Sequence, residues 1–224
     1  MSDASALFDQ HHCVRPDLIP ASRSVMKYAG YFLKFQPDSG GAIFNWFWFL
    51  RDLLDNRCGS KSDATIEEHG KEHIEQHELN INSMVDKIMD ILFKFSKATI
   101  RSGDKDAITA KVKNTFTNLS RQESSNICFF GCLPAIWHES HGTNSSYTYR
   151  IGFSFPHEWS VTDFYAVIAT IELKAEVRRS SVELIWPLGL GVPGLTTSDF
   201  FADITCIKLK CTKNFVAGEK PLLT

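Results

Sequence analysis

The sequence has no long apolar run. A helix that crosses a bilayer needs ~20 mostly apolar residues. The richest stretch, Ala42 to Leu54, is interrupted by Asn45, Arg51 and Asp52. The start, Met1 to Leu18, also lacks the basic segment and apolar core that are typical of a secretory signal. We therefore expect a protein that is made as a soluble molecule, without a visible signal peptide.

Charge of one sign is not in excess either. Lys and Arg number 24 and Asp and Glu 26, so the formal net charge is -2. Such a balance creates no general attraction to nucleic acid or to an anionic surface, and we expect no nucleic-acid partner. Glycine-rich phosphate loops, nucleophile elbows and metalloprotease motifs are missing too. We therefore predict no catalytic residues, no cofactor and no enzymatic activity.

Cysteines and large aromatic residues are the side chains that stand out. The chain has 17 Phe and 5 Trp, which suit a bulky core and a membrane interface equally. A chain of 224 residues can bury enough apolar surface without disulfides. We predict mostly buried free thiols, with disulfides as the alternative. The cysteines are Cys13, Cys58, Cys128, Cys132, Cys206 and Cys211.

Three histidines recur every fourth residue, at His69, His73 and His77. On a helix this spacing would place them near one face, where a zinc ion could bind two of them. Glu and Lys surround them on every side, and no further ligand is placed to complete a site. We favour a solvated helical face and predict no metal. Charging of the three imidazoles below about pH 6.5 is the alternative.

Hydrophobic spacing predicts helices in the first half of the chain. A loosely alternating strand at Val25–Phe35 comes first, followed by an aromatic helix at Ala42–Asp55. A long helix is expected from Ala64 to Ile100, polar at first and amphipathic later, where Ile88 and Phe95 lie on its apolar stripe. A further amphipathic helix is expected at Lys105–Leu119.

The second half of the chain alternates with a period of two, which predicts strands. Strands are expected around Tyr147–Phe155, Tyr165–Val177 and Val182–Trp186. In the last strand, Phe200–Cys211, the apolar parity changes after Cys206, which indicates a bulge or a change of buried face. Helices followed by sequential strands favour a single α+β domain with an antiparallel β-sheet.

Several stretches resemble, in order and spacing, segments of the Cyt-type cytolytic delta-endotoxins. The clearest is Lys113-Asn114-Thr115-Phe116-Thr117-Asn118-Leu119, followed by Ala135-Ile136-Trp137-His138 and by Asn144-Ser145-Ser146-Tyr147-Thr148-Tyr149. The strands around Ala166–Val177 and Phe201–Cys211 are also similar, as is the Tyr31–Pro37 stretch upstream. The resemblance spans about residues 27–215 and is strongest over residues 113–177. The volvatoxin-like pore-forming toxins of mushrooms are in the same family.

The resemblance implies an antiparallel β-sheet wrapped by helical hairpins, with an N-terminal extension at 1–24, the toxin-like domain at 25–215 and a tail at 216–224. It implies a toxin that acts outside the producing cell on target membranes. Its partners would be membrane phospholipids and further copies of itself, and it would form pores or disrupt the bilayer. The chain departs from the insect toxins between Gly41 and Ala64 and has short termini. The resemblance therefore does not extend to their activation by proteolysis.

The strands themselves suit this activity. A strand that crosses a bilayer needs ~9–11 residues with alternating lipid-facing and water-facing sides. Ser145–Phe155 and Asp163–Arg178 are long enough and alternate in this way. Half-buried strands in an ordinary covered sheet would show the same pattern, and a non-lytic lipid- or partner-binding module of the same fold is the alternative function. The predicted membrane-interacting residues are Tyr147, Tyr149, Ile151, Phe153, Val167, Ala169, Ile171, Leu173, Trp46 and Trp48.

Overall fold

The computed structural model describes residues 9–10, 14–36, 41–59, 62–76, 81–96, 106, 109–110, 136–141, 144–179 and 195–221. Within these residues the helices are α1 (Ile19–Gly30), α2 (Trp46–Asp52) and α3 (Ile81–Ser96), and a π-helical turn, Leu53–Gly59, continues α2. The strands are β1 (Asp9–Gln10), β2 (Leu33–Gln36), β3 (Gly41–Phe44), β4 (Ala64–Gln76), β5 (Ile136–His141), β6 (Asn144–Pro156), β7 (Asp163–Arg179) and β8 (Leu195–Thr212).

The strands form one main sheet in the order β1-β6-β7-β8-β4, with β5 paired to the same edge of β6 as β1. Every pairing is antiparallel except the short parallel contact of β1 with β6. Strands β2 and β3 form a separate hairpin. The predicted α+β fold with an antiparallel sheet is confirmed.

The predicted strand Val25–Phe35 is wrong over most of its length, because Val25 lies inside α1 and only β2 is extended. Pro20 in the first turn and the helical spacing of the buried residues define α1. Those buried residues are Ala21, Ser22, Val25, Met26, Tyr28 and Ala29. The helical spacing of these buried residues becomes clear only when the residues before Val25 are included.

The predicted helix Ala42–Asp55 is correct from Trp46 onward. Asn45 caps α2, because its side-chain oxygen accepts a hydrogen bond from the backbone N–H of Trp48 at 3.1 Å. Residues before this cap belong to β3, which pairs with β2. The N-cap therefore marks the true start of the helix.

The predicted helix beginning at Ala64 is wrong in its first half, which forms strand β4. Glu, Lys and His favour a helix locally, but β4 pairs with β8 from Ala64–Cys211 to Gln76–Phe200. Tertiary pairing therefore overrides propensity. The register shifts between Ile66 and Glu68. The second half of the prediction is correct, because α3 is helical.

Two other predictions fall largely outside the described residues. Of the predicted helix Lys105–Leu119, only residues 106 and 109–110 are described, and they are helical. The predicted strand Val182–Trp186 is not among the described residues.

In β8 the change of parity reflects a change of buried face, since Cys206 and Ile207 are both fully buried.

The main sheet is covered on both faces. Helices α1 and α2 lie on one face, where Ser22 Oγ donates a hydrogen bond to Ser154 Oγ at 2.8 Å. Helix α3 lies on the other face and contacts β8, β4 and β7. The cluster under α1 and α2 contains interlocked rings of Tyr28, Phe32 and Phe49, with centroids 5.2 to 5.8 Å apart.

A buried arginine joins the C-terminal segment to the core under α1. Arg57 lies 4.9 Å from the rings of Tyr28 and Phe215. It donates hydrogen bonds to Asp63 Oδ2 at 3.1 Å and to the carbonyl oxygen of Ala217 at 2.7 Å.

Helix α1 runs continuously across residues 24 and 25, where the sequence predicted a domain boundary. The domain boundaries at 24/25 and 215/216 stay predictions.

Candidate functional site

The sheet register brings the predicted strand residues together. The backbones of β6 and β7 place them directly opposite one another, on one face of the sheet by the alternation of the strands. Three of these side chains, those of Tyr147, Tyr149 and Leu173, lie outside what the structure describes. The pairs are Tyr147 with Leu173, Tyr149 with Ile171, Ile151 with Ala169, and Phe153 with Val167.

This apolar face is buried. Phe153, Val167, Ala169 and Ile171 are 0% exposed, and Ile151 is 3% exposed. These five side chains therefore do not meet lipid in this conformation. Any contact with a bilayer requires that their cover move.

Helix α3 supplies the cover next to β4 and β8. A Cβ at Gly70 would lie 2.6 Å from Cζ of Phe95 in α3. Gly70 is opposite Cys206 in β8, which is opposite Ala169 in β7. The residues on this row therefore share the face on which α3 sits. The helix buries Ile88, Met89, Leu92 and Phe95.

An ion pair between α3 and the sheet is exposed. Lys94 Nζ lies 3.2 Å from Glu72 Oε1, and the two side chains are 72% and 38% exposed. Pairs of this kind contribute about 0–1 kcal/mol. Burying a large apolar side chain is worth roughly 1.5–3 kcal/mol. Packing of the apolar side chains therefore dominates the docking of α3.

The opposite face of β7 is covered only along part of its length. Phe164, Ala166 and Ile168 are 0% exposed beneath α1 and α2. Thr170 Oγ1 accepts a hydrogen bond from Trp46 Nε1 at 2.9 Å. From Glu172 onward the even side chains that are described are exposed to water. Here β7 therefore has Ile171 buried on the α3 side and Glu172 and Lys174 exposed on the other side.

The two predicted tryptophans differ in their surroundings. Trp46 is partly buried, with its ring centroid 4.7 Å from that of Phe44 and 5.8 Å from that of His69. Trp48 is half-buried beneath the guanidinium of Arg51, at 5.0 Å. Because α2 begins after the Asn45 cap, two further apolar side chains on this helix and the turn that follows it point into solvent. These exposed residues, which the sequence analysis missed, are Phe47 at 66% and Leu54 at 54%.

A second exposed aromatic was also missed. Trp159, in the connection between β6 and β7, is 88% exposed, and Val161 is 66% exposed. A sequence signal existed, because an aromatic residue between two strongly alternating strands falls in a turn rather than in the core.

Two of the three spaced histidines, His69 and His73, lie in strand β4 and not on a helix, and His77 lies outside the described residues. In a strand His69 and His73 are separated by four residues, roughly 13 Å at ~3.3 Å per residue. His69 approaches Trp46, whereas His73 Nδ1 lies 2.7 Å from Asp203 Oδ1. Burial lowers the pKa of His69 from its ordinary value, and the positive charge of Lys71 adds to this effect. Across the described residues no group of His, Cys, Asp or Glu has the arrangement to hold a metal ion.

The described cysteines are free. Cys206 and Cys211 are buried, as predicted, whereas Cys58 is half-buried. Burial raises the pKa of each of these thiols, which disfavours the reactive thiolate. Cys13, Cys128 and Cys132 lie outside the described residues.

These features define an α+β protein in which an apolar sheet face is stored beneath a helix. Among the described residues, no helix combines sufficient length and apolar character to cross a bilayer.

The comparisons with known proteins agree with this architecture. The family model described as Bacillus thuringiensis toxin matches residues 57–186. The type-1Aa cytolytic delta-endotoxin of Bacillus thuringiensis subsp. morrisoni is 23% identical over 111 residues, which are 50% of this chain and 42% of that protein. The chain thus matches less than half the length of this curated relative.

Solved structures share the fold. A delta-endotoxin structure has a TM-score of 0.66 at 18% identity, covering 91% of this chain and 80% of that one. The activated Cyt2Ba monomer from Bacillus thuringiensis subsp. israelensis has a TM-score of 0.62 at 16% identity, covering 92% and 97%. The chain belongs to the Bacillus thuringiensis toxin family, as a relative of the Cyt-type cytolytic delta-endotoxins.

Proposed function

We propose that this protein binds lipid bilayers and permeabilises them after α3 leaves the apolar face of the main sheet, where it packs against β4, β7 and β8. In this state the strand residues Tyr147, Tyr149, Ile151, Phe153, Val167, Ala169, Ile171 and Leu173 contact acyl chains. Trp46 and Trp48 reach the lipid interface as the layer of α2 loosens. Binding is to phospholipids of target cells, from outside those cells, and without a protein receptor.

The two-sided character of β7 carries this proposal. Toward α3 its side chains are apolar and buried, as Ile171 is at 0% exposure. Toward solvent its described side chains beyond Thr170 are exposed, and they include Glu172 and Lys174. Strands β6 and β7, with 13 and 17 residues, exceed the ~9–11 that a bilayer crossing needs.

The energetics explain why a bilayer is required. Removing α3 in water would expose Ile88, Met89, Leu92 and Phe95, at roughly 1.5–3 kcal/mol each. The total, on the order of 6–12 kcal/mol, is comparable with the whole stability of a domain. The helix therefore stays docked in water. A bilayer offsets this loss because it accepts the apolar faces of both the helix and the strands.

Self-association on the membrane belongs to the same proposal. Within hydrocarbon, unpaired backbone N–H and C=O groups cost several kcal/mol each. A lone inserted hairpin of β6 and β7 would leave such groups along both outer edges. Pairing with strands of neighbouring copies satisfies them, so pores or larger lesions should contain several copies.

Release of a trapped dye from vesicles tests the function. Purified protein should release dye from phosphatidylcholine vesicles, since a net charge of -2 gives no preference for anionic lipid. The assay is run before and after limited proteolysis. Absence of leakage at micromolar protein in both cases would refute the proposal. Binding without leakage would instead indicate the non-lytic lipid-binding module.

A reversible crosslink tests whether α3 must leave. Glu72→Cys and Lys94→Cys are combined, because their side chains meet at 3.2 Å. A bismaleimide with an internal disulfide then joins β4 to α3 and is cleaved by a reductant. Leakage should be blocked while the link is intact and return after cleavage. The single-cysteine variants, treated with the same reagent, control for native thiols. Equal leakage from linked and cleaved protein would rule out departure of α3.

A further inference from the structure

The connection between β6 and β7, residues 157–162, forms an exposed apolar tip. Trp159 is 88% exposed and Val161 66% exposed. No other described large apolar side chain is as exposed as Trp159. A tryptophan held in water at the end of a hairpin suits a binding role better than a packing role.

The tip is held in a fixed shape by its own polar groups. The backbone N–H of Trp159 donates to Nδ1 of His157 at 3.2 Å, and that ring stacks on Tyr165 with centroids 4.8 Å apart. The backbone N–H of Thr162 donates to Ser160 Oγ at 3.3 Å. Binding through Trp159 therefore requires little further ordering of the loop.

The C-terminal turn extends this surface. The backbone N–H of Lys213 donates to the carbonyl oxygen of Thr162 at 2.8 Å, which joins the turn to the tip. Beyond Lys213, Val216 is 64% exposed. Charge around the tip is balanced, since Glu67, Glu158 and Asp163 stand against Lys208, Lys210 and Lys213. An amphipathic aromatic residue with aliphatic neighbours and no net charge matches the interface of a zwitterionic bilayer.

We propose that residues 157–162, with Trp159 as the principal anchor, make the first contact with the bilayer while α3 still covers the sheet. This inference rests on the proposed function and adds a docking step that precedes insertion. The position of the tip supports this order, because it connects the two strands that carry the stored apolar face. Anchoring here holds one end of that hairpin at the membrane interface before any core residue is exposed.

The test uses Trp159→Ala, with Trp159→Phe and Ile43→Ala as matched controls. Ile43 is 48% exposed, but it lies on β3, which belongs to the separate hairpin and not to the proposed membrane-binding residues. Co-sedimentation with phosphatidylcholine vesicles measures the lipid concentration at half-binding. Trp159→Ala should raise it about tenfold, equivalent to about 1.4 kcal/mol. Trp159→Phe should raise it much less, and Ile43→Ala should leave it within about twofold.

Binding of the α3-linked protein separates docking from insertion. The crosslinked Glu72→Cys/Lys94→Cys protein should still sediment with vesicles, and adding Trp159→Ala should weaken that binding by the same factor. Unchanged binding of Trp159→Ala, while wild-type protein binds and leaks dye, would overturn the docking proposal and leave the function standing. Wild-type binding to cells but not to protein-free vesicles would overturn both and indicate a protein partner.

Discussion

A methyl group at Gly70 should loosen α3 from the sheet. A Cβ at this position would lie 2.6 Å from Cζ and 3.0 Å from Cε1 of Phe95. Cβ atoms essentially never come within 3.0 Å of a non-bonded heavy atom of a residue that is distant in the chain. The Phe95 ring is only 6% exposed, so it has no open space to turn into. In Gly70→Ala the ring must therefore move and shift the helix with it.

The magnitude follows from two opposing effects. Overpacking a well-packed site costs about 1–3 kcal/mol. Replacing a strand glycine by alanine gains roughly 0.5–1 kcal/mol, because the unfolded chain loses freedom. We expect Gly70→Ala to lower the free energy of unfolding by about 1–2 kcal/mol. With a urea m-value of about 2 kcal/mol/M, the midpoint should fall by roughly 0.5–1 M.

The same change should promote leakage. Weaker docking raises the population with α3 released, by about tenfold for each 1.4 kcal/mol. Dye release by Gly70→Ala should therefore be faster than wild type at equal bound protein. Circular dichroism in urea gives the stability, and vesicle leakage gives the activity.

Gly30→Ala is the matched control. Gly30 lies in the last turn of α1, and a Cβ there would meet nothing within 4 Å. The same chemical change should stabilise the protein by about 0.4–1 kcal/mol. Phe95→Leu added to Gly70→Ala should recover part of the loss, because it removes the ring atoms that clash.

Two results would refute this reasoning. If both glycine substitutions stabilise the protein equally, the close approach of Phe95 to Gly70 does not constrain α3. If Gly70→Ala loses stability but leaks no faster, release of α3 is not the step that limits permeabilisation.

The remaining predictions concern the layer of α1 and α2. Arg57→Ala should lower the free energy of unfolding by about 3–5 kcal/mol in urea melts, because it leaves the carboxylate of Asp63 buried without its partner. Arg51→Ala, which removes an exposed pair, should change it by less than about 1 kcal/mol, and similar losses from both would contradict the burial argument. The pKa of His69 is lowered by burial against Trp46, so the folded state binds fewer protons than the unfolded state. Its contribution is present above the unfolded pKa of about 6.5 and is lost as the pH falls through the folded pKa. Thermal melts from pH 7.5 to pH 5 should show a smaller decline for His69→Asn than for wild type, and identical declines would exclude this histidine.

The candidate residues on the strands could be predicted from the sequence, because the alternation of apolar and polar residues is visible without knowledge of the tertiary structure. Ile151 and Phe153 in β6, and Val167, Ala169 and Ile171 in β7, lie at every second position of their strands, and the pattern alone assigns each set to one face of its strand. Their direct opposition across β6 and β7 depends on the register, which the pattern does not specify. Trp159 was predictable only as a turn residue, because its exposure follows from how the tip folds.

Strand β4 shows where local sequence misleads. Its Glu, Lys and His residues have the composition of a solvated helix, and the three histidines fit helical spacing equally well. Pairing with β8 decides the matter, since the backbone groups of β4 that face β8 are hydrogen-bonded from Ala64 to Gln76 apart from the register shift after Ile66. The bulge between Ile66 and Glu68 then changes which side chains face α3.

The sequence by itself determined the alternating strands of the second half, the amphipathic α3 and the resemblance to the Cyt-type toxins, because each depends on residues close together in the chain. Tertiary contacts were needed to establish that β4 is a strand and that α3 lies over Gly70. They were also needed to show that Glu172 and Lys174, on the side of β7 away from α3, are exposed to solvent. These features depend on contacts between distant segments, and local preferences of about 1 kcal/mol per residue are smaller than the burial and pairing energies that override them.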